Sequence, residues 1–263
     1  MHLKNKAKDL IAKGASGVLF YRLEDGFAIP HLFTSEDIEK MPRISEISSL
    51  ERYPIAGIVR RILEESDDKR YGVVVRGCDE RAIIELSKQG QVELGRLELI
   101  GIACSEDLSL LCRCSKPYPD APFEGPAAQE VMVDERLEKV EKLEEGKRLS
   151  YWLSNFALCM KCMGCRNICP LCFCKECSLE DNDLIRRGLL PPDIPAFHLV
   201  RAVDMAGRCV MCGLCEEVCP AKIPLRILYR KVAIAIEEIF GYVPGRDASE
   251  KNPLSIIGTI DEE

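Results

Sequence analysis

The sequence predicts an α/β amino-terminal domain built on a parallel sheet, joined to an α-rich, cysteine-dense carboxyl-terminal domain. Three observations predict it. Short β-rich runs alternate with helical periodicity up to about residue 104, a stretch rich in proline and small residues follows at 113–130, and eleven of the fifteen cysteines come after residue 158. At 263 residues and 47% hydrophobic content, each half can bury a core of its own.

In the first half, "SGVLFYRL", "YGVVVRG" and "LELIGIAC" read as strands, apolar and rich in β-branched residues. Between them, "PIAGIVRRILEES" sets Ile55, Ile58, Val59 and Ile62 on one helical face. The helix "DERAIIELSKQG" points Ala82, Ile83 and Leu86 one way and Glu80, Glu85 and Lys88 another, and Asp79 reads as its cap rather than as a catalytic acid. Strand, helix, strand order implies right-handed crossovers and parallel pairing.

The segment "RCSKPYPDAPFEGPAAQE" reads as a linker, giving an α/β domain over 1–112, a linker over 113–130 and a second domain over 131–263. A charged helix opens the second domain, with Val133, Leu137, Val140 and Leu143 at helical spacing. The helix "LRILYRKVAIAIEEIF" follows the last cysteine, and its stripe of Leu225, Leu228, Val232, Ile236 and Ile239 is core contact or a face for a partner.

Composition excludes several functions. A net charge of -7 with both signs interspersed lacks the concentrated positive face that nucleic acid requires. The amino terminus has no apolar run for a signal peptide, and nothing reaches the roughly 18 apolar residues of a membrane span, so a cytoplasmic protein is expected. In that reducing compartment fifteen cysteines suit metal rather than disulfides, and an oxygen-poor cell suits such an inventory. There is no G-x-G-x-x-G or Walker loop and no nucleophile, base and acid constellation, so no catalytic residue is assigned. Of the histidines, His2 is terminal, His31 is expected in an exposed loop, and His198 reads as structural.

Two runs carry the chemistry. Cys159, Cys162, Cys165 and Cys169 precede Pro170, and Cys209, Cys212, Cys215 and Cys219 precede Pro220, each spaced C-x2-C-x2-C-x3-C-P. In that spacing a tight loop brings three thiolates to one cubane while the fourth cysteine serves a second cluster. Cys159, Cys162, Cys165 and Cys219 would hold one 4Fe-4S cluster, and Cys209, Cys212, Cys215 and Cys169 the other, in a ferredoxin-like dicluster domain. Gly164 and Gly213, near the third ligand of each run, suit loops whose amides turn toward cluster sulfurs. Zinc is the competing occupant, since its thiolate sites also use C-x2-C pairs.

Seven cysteines remain. Cys78 and Cys104 end strands at the carboxyl edge of the sheet, and Cys112 and Cys114 follow closely. Those four either hold a third cluster or, for Cys78 and Cys104, pack as small hydrophobes. Cys172, Cys174 and Cys177 stay unassigned between a further metal site and packing beside the clusters.

The strings "LCMKCMGCRNICPLCFCKECSLE", "GRCVMCGLCEEVCPAKIPL" and "GYVPGRD" resemble the tail of the beta subunit of deazaflavin-dependent formate dehydrogenase, in a wider family with the deazaflavin-reducing hydrogenase beta subunit. "VVVRGCDERAIIELSKQGQV" and "LIGIAC" agree more loosely. The resemblance implies electron transfer within a larger redox complex, in which a catalytic subunit oxidises formate or hydrogen and the beta subunit passes electrons through its clusters to a flavin. The chain's partners would be a formate dehydrogenase or hydrogenase type catalytic subunit and another redox subunit, such as one of heterodisulfide reductase type. The eight paired cysteines keep their cluster roles in it. Family members that reduce the deazaflavin carry a glycine-rich amino-terminal segment and further middle sequence that help bind FAD. This chain begins after the first and replaces the second with "CRCSKPYPD", which puts FAD in doubt and favours a wire over a flavoenzyme. A flavin-containing deazaflavin oxidoreductase and a metal-stabilised assembly module are the alternatives.

Overall fold

The computed structural model describes residues 3–47, 51–131, 133–186, 189–191 and 194–254. The chain divides into two compact units, residues 1–132 with 245–249, and residues 133–244 with 250–263.

The first unit opens with α1 (Leu3–Ala12) and then the hairpin of β1 (Gly17–Glu24) and β2 (Phe27–Phe33). Its turn is Asp25–Gly26, with φ of 50° and 84°, the left-handed pair that two-residue hairpins favour because its twist matches the strands. α2 (Ile55–Glu64), β3 (Tyr71–Val75), α3 (Gly77–Lys88), β4 (Leu97–Ile102), α4 (Glu106–Cys112) and the short β5 (Phe123–Glu124) follow. The strand order is β2-β1-β3-β4-β5. β1, β3, β4 and β5 run parallel, while β2 pairs antiparallel with β1, so the sheet is mixed rather than wholly parallel. His31 lies on β2, not in a loop, and pairs with Asp37 at 2.6 Å. β3 is buried along its whole length, as a central strand covered on both faces must be.

Asp79 caps α3 by accepting the Arg76 backbone N–H at 3.1 Å. The supposed polar side of that helix is covered as well. Glu80 is buried and its carboxylate accepts the backbone N–H groups of Asp120 at 2.5 Å and Ala121 at 2.7 Å. Glu85, fully buried, accepts the Gly245 N–H at 3.0 Å and stands 3.6 Å from Lys88. Residues 113–130, read as a linker, are therefore tied into this unit. The Val131 N–H also reaches the Cys114 carbonyl at 2.8 Å, and β5 extends the sheet.

In the second unit the expected charged helix is two, α5 (Glu135–Glu141) and α6 (Glu145–Phe156), and only Val140 of the expected stripe is buried. The short α7 (Gly164–Asn167), then α8 (Ala196–Asp204), the short α9 (Leu214–Glu217) and α10 (Leu225–Phe240) complete it. Gly241, at φ 67°, ends α10 in the left-handed conformation that favours glycine. The core gathers Phe156, Ala202, Cys219, Ile223, Leu225 and Tyr229. Leu225 and Ile236 of the α10 stripe are buried, while Ile239 at its far end is 70% exposed. Among the described residues no helix is long and apolar enough to cross a membrane.

Candidate metal centres

The two cysteine runs fold alike. Each leaves a helix, makes a loop with two left-handed residues, enters a four-residue helix and ends at the Cys–Pro step. In the first run the left-handed residues are Lys161 (φ 53°) and Met163 (φ 60°); in the second they are Met211 (φ 59°) and Gly213 (φ 78°). Glycine carries that conformation only in the second run, because Gly164 is already the first residue of α7. A non-glycine residue there is uncommon and costs energy, so the shared shape is imposed by its surroundings. Alternating handedness turns amides inward: the Lys161 N–H meets Cys159 Sγ at 3.4 Å, and the Met211 N–H makes the equivalent bond to the Cys209 sulfur.

Two cavities open between the runs. One, of about 350 Å³, is lined by Cys159, Cys162, Cys165 and Cys219. The other, of about 420 Å³, is lined by Cys169, Cys209, Cys212 and Cys215. Each thus takes three cysteines from one run and the last cysteine of the other. Burial pushes the thiols of Cys159, Cys165, Cys209 and Cys215 above their ordinary range. Neighbouring sulfurs push Cys159, Cys165 and Cys215 the same way, Cys165 and Cys219 acting on Cys159, and Cys212 and Cys209 on Cys215. Metal binding takes the proton off such sulfurs and neutralises them together.

The linings also hold polar groups. Arg201, 3% exposed, borders the larger cavity and sends Nη1 to Cys172 Sγ at 2.9 Å and Nη2 to the Cys165 carbonyl at 3.2 Å. Its Nε and the Tyr229 hydroxyl, on the same wall, are buried with no hydrogen-bond partner among the described residues. Such donors fit a cavity whose occupant brings acceptor sulfurs. His198 lies on the wall of the smaller cavity, its ring stacked on Phe156 at 4.4 Å. Both its nitrogens are buried and unpartnered among the described residues, and burial alone pulls its pKa down to about 4. Nothing in the sequence around Arg201 or His198 marked their place on these walls. His2 lies outside the described residues.

The other cysteines divide. Cys172 shares a hydrogen bond with Cys169 beside the larger cavity, and burial adds to that bond in pushing its thiol up. Cys174 is exposed. Cys177 packs, with Cys159 and Met163, on the buried cluster of Leu179, Ile185 and Phe197. In the first unit Cys78 opens α3, Cys104 follows β4, Cys112 ends α4, and Cys114 lies just beyond it. Among the described residues no three of His, Cys, Asp and Glu close to single-ion distance, so a preformed zinc site is not seen at any of these places.

No protein-family model matches the chain. It is 37% identical over 119 residues to the F420-dependent formate dehydrogenase subunit beta of Methanocaldococcus jannaschii, a match covering 45% of this chain and 31% of that protein. It is 42% identical over 104 residues to the F420-dependent formate dehydrogenase 1 subunit beta of Methanococcus maripaludis, covering 40% of this chain and 27% of that protein. The matches span less than a third of either curated relative's own length. By sequence, then, the chain is a relative of the beta subunits of F420-dependent formate dehydrogenase.

Proposed function

We propose that the chain is an iron–sulfur electron-transfer subunit of a redox complex, relaying electrons between a formate dehydrogenase or hydrogenase type catalytic subunit and another redox subunit. The observation that carries this reading is the lining of the two cavities, each with three cysteines of one run and the fourth of the other. That is the donor set that two 4Fe-4S clusters take from paired ferredoxin runs. The two relatives, named as beta subunits of F420-dependent formate dehydrogenase, support the partner.

When bound, such clusters accept and release single electrons. The chain's own residues do the rest. Cys159, Cys162, Cys165 and Cys219 hold one cluster, and Cys169, Cys209, Cys212 and Cys215 hold the other. The inward amides of Lys161 and Met211 hold the sulfurs of Cys159 and Cys209 in place. Phe156, Ile223 and Leu225 form apolar packing around the cysteines, which limits water and so helps to set the potential.

The test is anaerobic iron and sulfide analysis with paramagnetic resonance of the reduced protein. At least about eight irons per chain are expected. Cys219→Ser should remove the cluster that Cys162→Ser removes, and Cys169→Ser the one that Cys212→Ser removes. If Cys219→Ser and Cys212→Ser abolish the same signal, the crossed assignment fails; if reduction yields no signal at all, the electron-transfer reading fails.

A further inference from the structure

We propose that His198 is the side-chain hydrogen-bond donor to the cluster in the smaller cavity, an imidazole that helps to set that cluster's potential without ligating it. The inference deepens the electron-transfer reading and rests on that cavity holding a cluster.

α8 places the ring. His198 lies in the first turn of that helix, where its backbone N–H donates to the Pro195 carbonyl at 3.1 Å. Arg201 follows three residues later and so falls on the same face. The two serve different walls, His198 lining the smaller cavity and Arg201 the larger. Aromatic neighbours fix the imidazole's orientation. Phe156 stacks on its face, with centroids 4.4 Å apart and planes 20° from parallel, and Phe197 stands across it at 5.1 Å and 84°. Both phenyl rings are buried in close-packed surroundings, so the imidazole cannot swing away to another partner.

The ring has a donor and nothing in the protein to take it. His198 is 3% exposed, and neither nitrogen has a hydrogen-bond partner among the described residues. In either tautomer a neutral imidazole carries one N–H. Leaving a buried donor unmade destabilises a fold, so the acceptor is to be sought in what occupies the cavity. Cluster sulfurs are such acceptors. Little else on that wall competes for the role. Lys161 commits its Nζ to the Arg186 carbonyl at 2.8 Å and its backbone N–H to Cys159 Sγ, and the remaining lining is cysteine and apolar. The larger cavity, by contrast, is bordered by Arg201, Arg226 and Tyr229. Loss of the imidazole should therefore be felt at the smaller cavity. A donor to a sulfur favours the reduced, more negative state, which moves the potential positive.

The test is a redox titration of the anaerobically purified full chain, followed by paramagnetic resonance, with Cys162→Ser and Cys212→Ser identifying the signals of the smaller and larger cavities. His198→Leu should keep the wild-type iron and shift the smaller-cavity signal about tenfold toward the oxidised form, about 59 mV more negative for one electron. The larger-cavity midpoint should hold, and His198→Gln, which keeps an N–H, should recover part of the shift. An unmoved smaller-cavity midpoint overturns the proposal, as does an equal shift of both signals or a loss of about four irons in both variants. A measurement on the wild type covers the case in which the variants fail to fold. With 15N-labelled histidine, the smaller-cavity signal should show a weak nitrogen coupling; no coupling, or one of the size of a directly bound nitrogen, overturns the proposal. A chain with no smaller-cavity signal at all takes the electron-transfer reading down first, whereas a signal indifferent to His198 removes only this inference.

Discussion

Arg201 Nη1 lies 2.9 Å from Cys172 Sγ, and the same guanidinium reaches the carbonyl of Cys165 with its other Nη. One buried cation therefore touches a lining residue of the smaller cavity while it borders the larger. A positive charge favours the reduced, more negative state of anything bound beside it. At an effective dielectric near 20 and a separation of about ten ångströms this amounts to about 1–2 kcal/mol, on the order of 50–100 mV for one electron. Arg201→Met should move both paired potentials negative by that order in a redox titration followed by paramagnetic resonance. Two unshifted midpoints would rule out the coupling.

Cys172 and Cys174 separate neighbours from ligands. Cys172→Ala removes the sulfur that anchors Arg201 but none of the four that line each cavity, and Cys174 is exposed. Iron content should stay at the wild-type value in both variants, and only Cys172→Ala should shift a potential. A loss of about four irons in Cys172→Ala would make it a ligand.

Gly77 is fixed by its surroundings, since any Cβ meets backbone oxygens of Tyr118 and Lys116. Gly77→Ala must displace the segment crossing the sheet edge, at a cost of about 2–3 kcal/mol. The check is a denaturant midpoint for the first unit. A midpoint within error of wild type would show that the crossing segment yields freely.

Glu80 is the acceptor for two adjacent amides, those of Asp120 and Ala121. Glu80→Ala leaves both without their partner and should cost about 2–4 kcal/mol. Hydrogen exchange should quicken at those amides first, ahead of β3. Uniform loss of protection would place the effect elsewhere.

These residues also show where sequence legibility ended. The strands β1, β3 and β4 were readable because their apolar runs are long and bounded by turns. The Asp25–Gly26 hairpin went unread, because β2 carries His31 and Pro30 and alternates too weakly to be read as a strand. Glu80 and Glu85 looked like a solvent face, since nothing local reveals that residues 120–121 and 245 cover it. The proline-rich stretch at 113–130 read as a linker for the same reason: its partners are forty residues away in sequence at Glu80. Periodicity reports which face is apolar, not what a distant segment later brings to the polar one.

At the cysteine runs the reverse held. Spacing alone proposed two groups of four, and the cavities are lined by those same groups. Spacing could not indicate Arg201 or His198, since a single buried cation or imidazole has no period. The place of glycine was misleading too, because Met163 takes the left-handed conformation that Gly213 takes in the other run.

The exchange of the fourth cysteine sets an order on biosynthesis. Cys159, Cys162 and Cys165 emerge from the ribosome long before Cys219, which completes their wall. Neither cavity is closed by its own run, so a nascent chain halted after Pro170 offers two incomplete thiol sets and no finished pocket. Each cavity's wall then waits for most of the second unit: the one that Cys169 shares is complete once Cys215 has emerged, and the other only once Cys219 has.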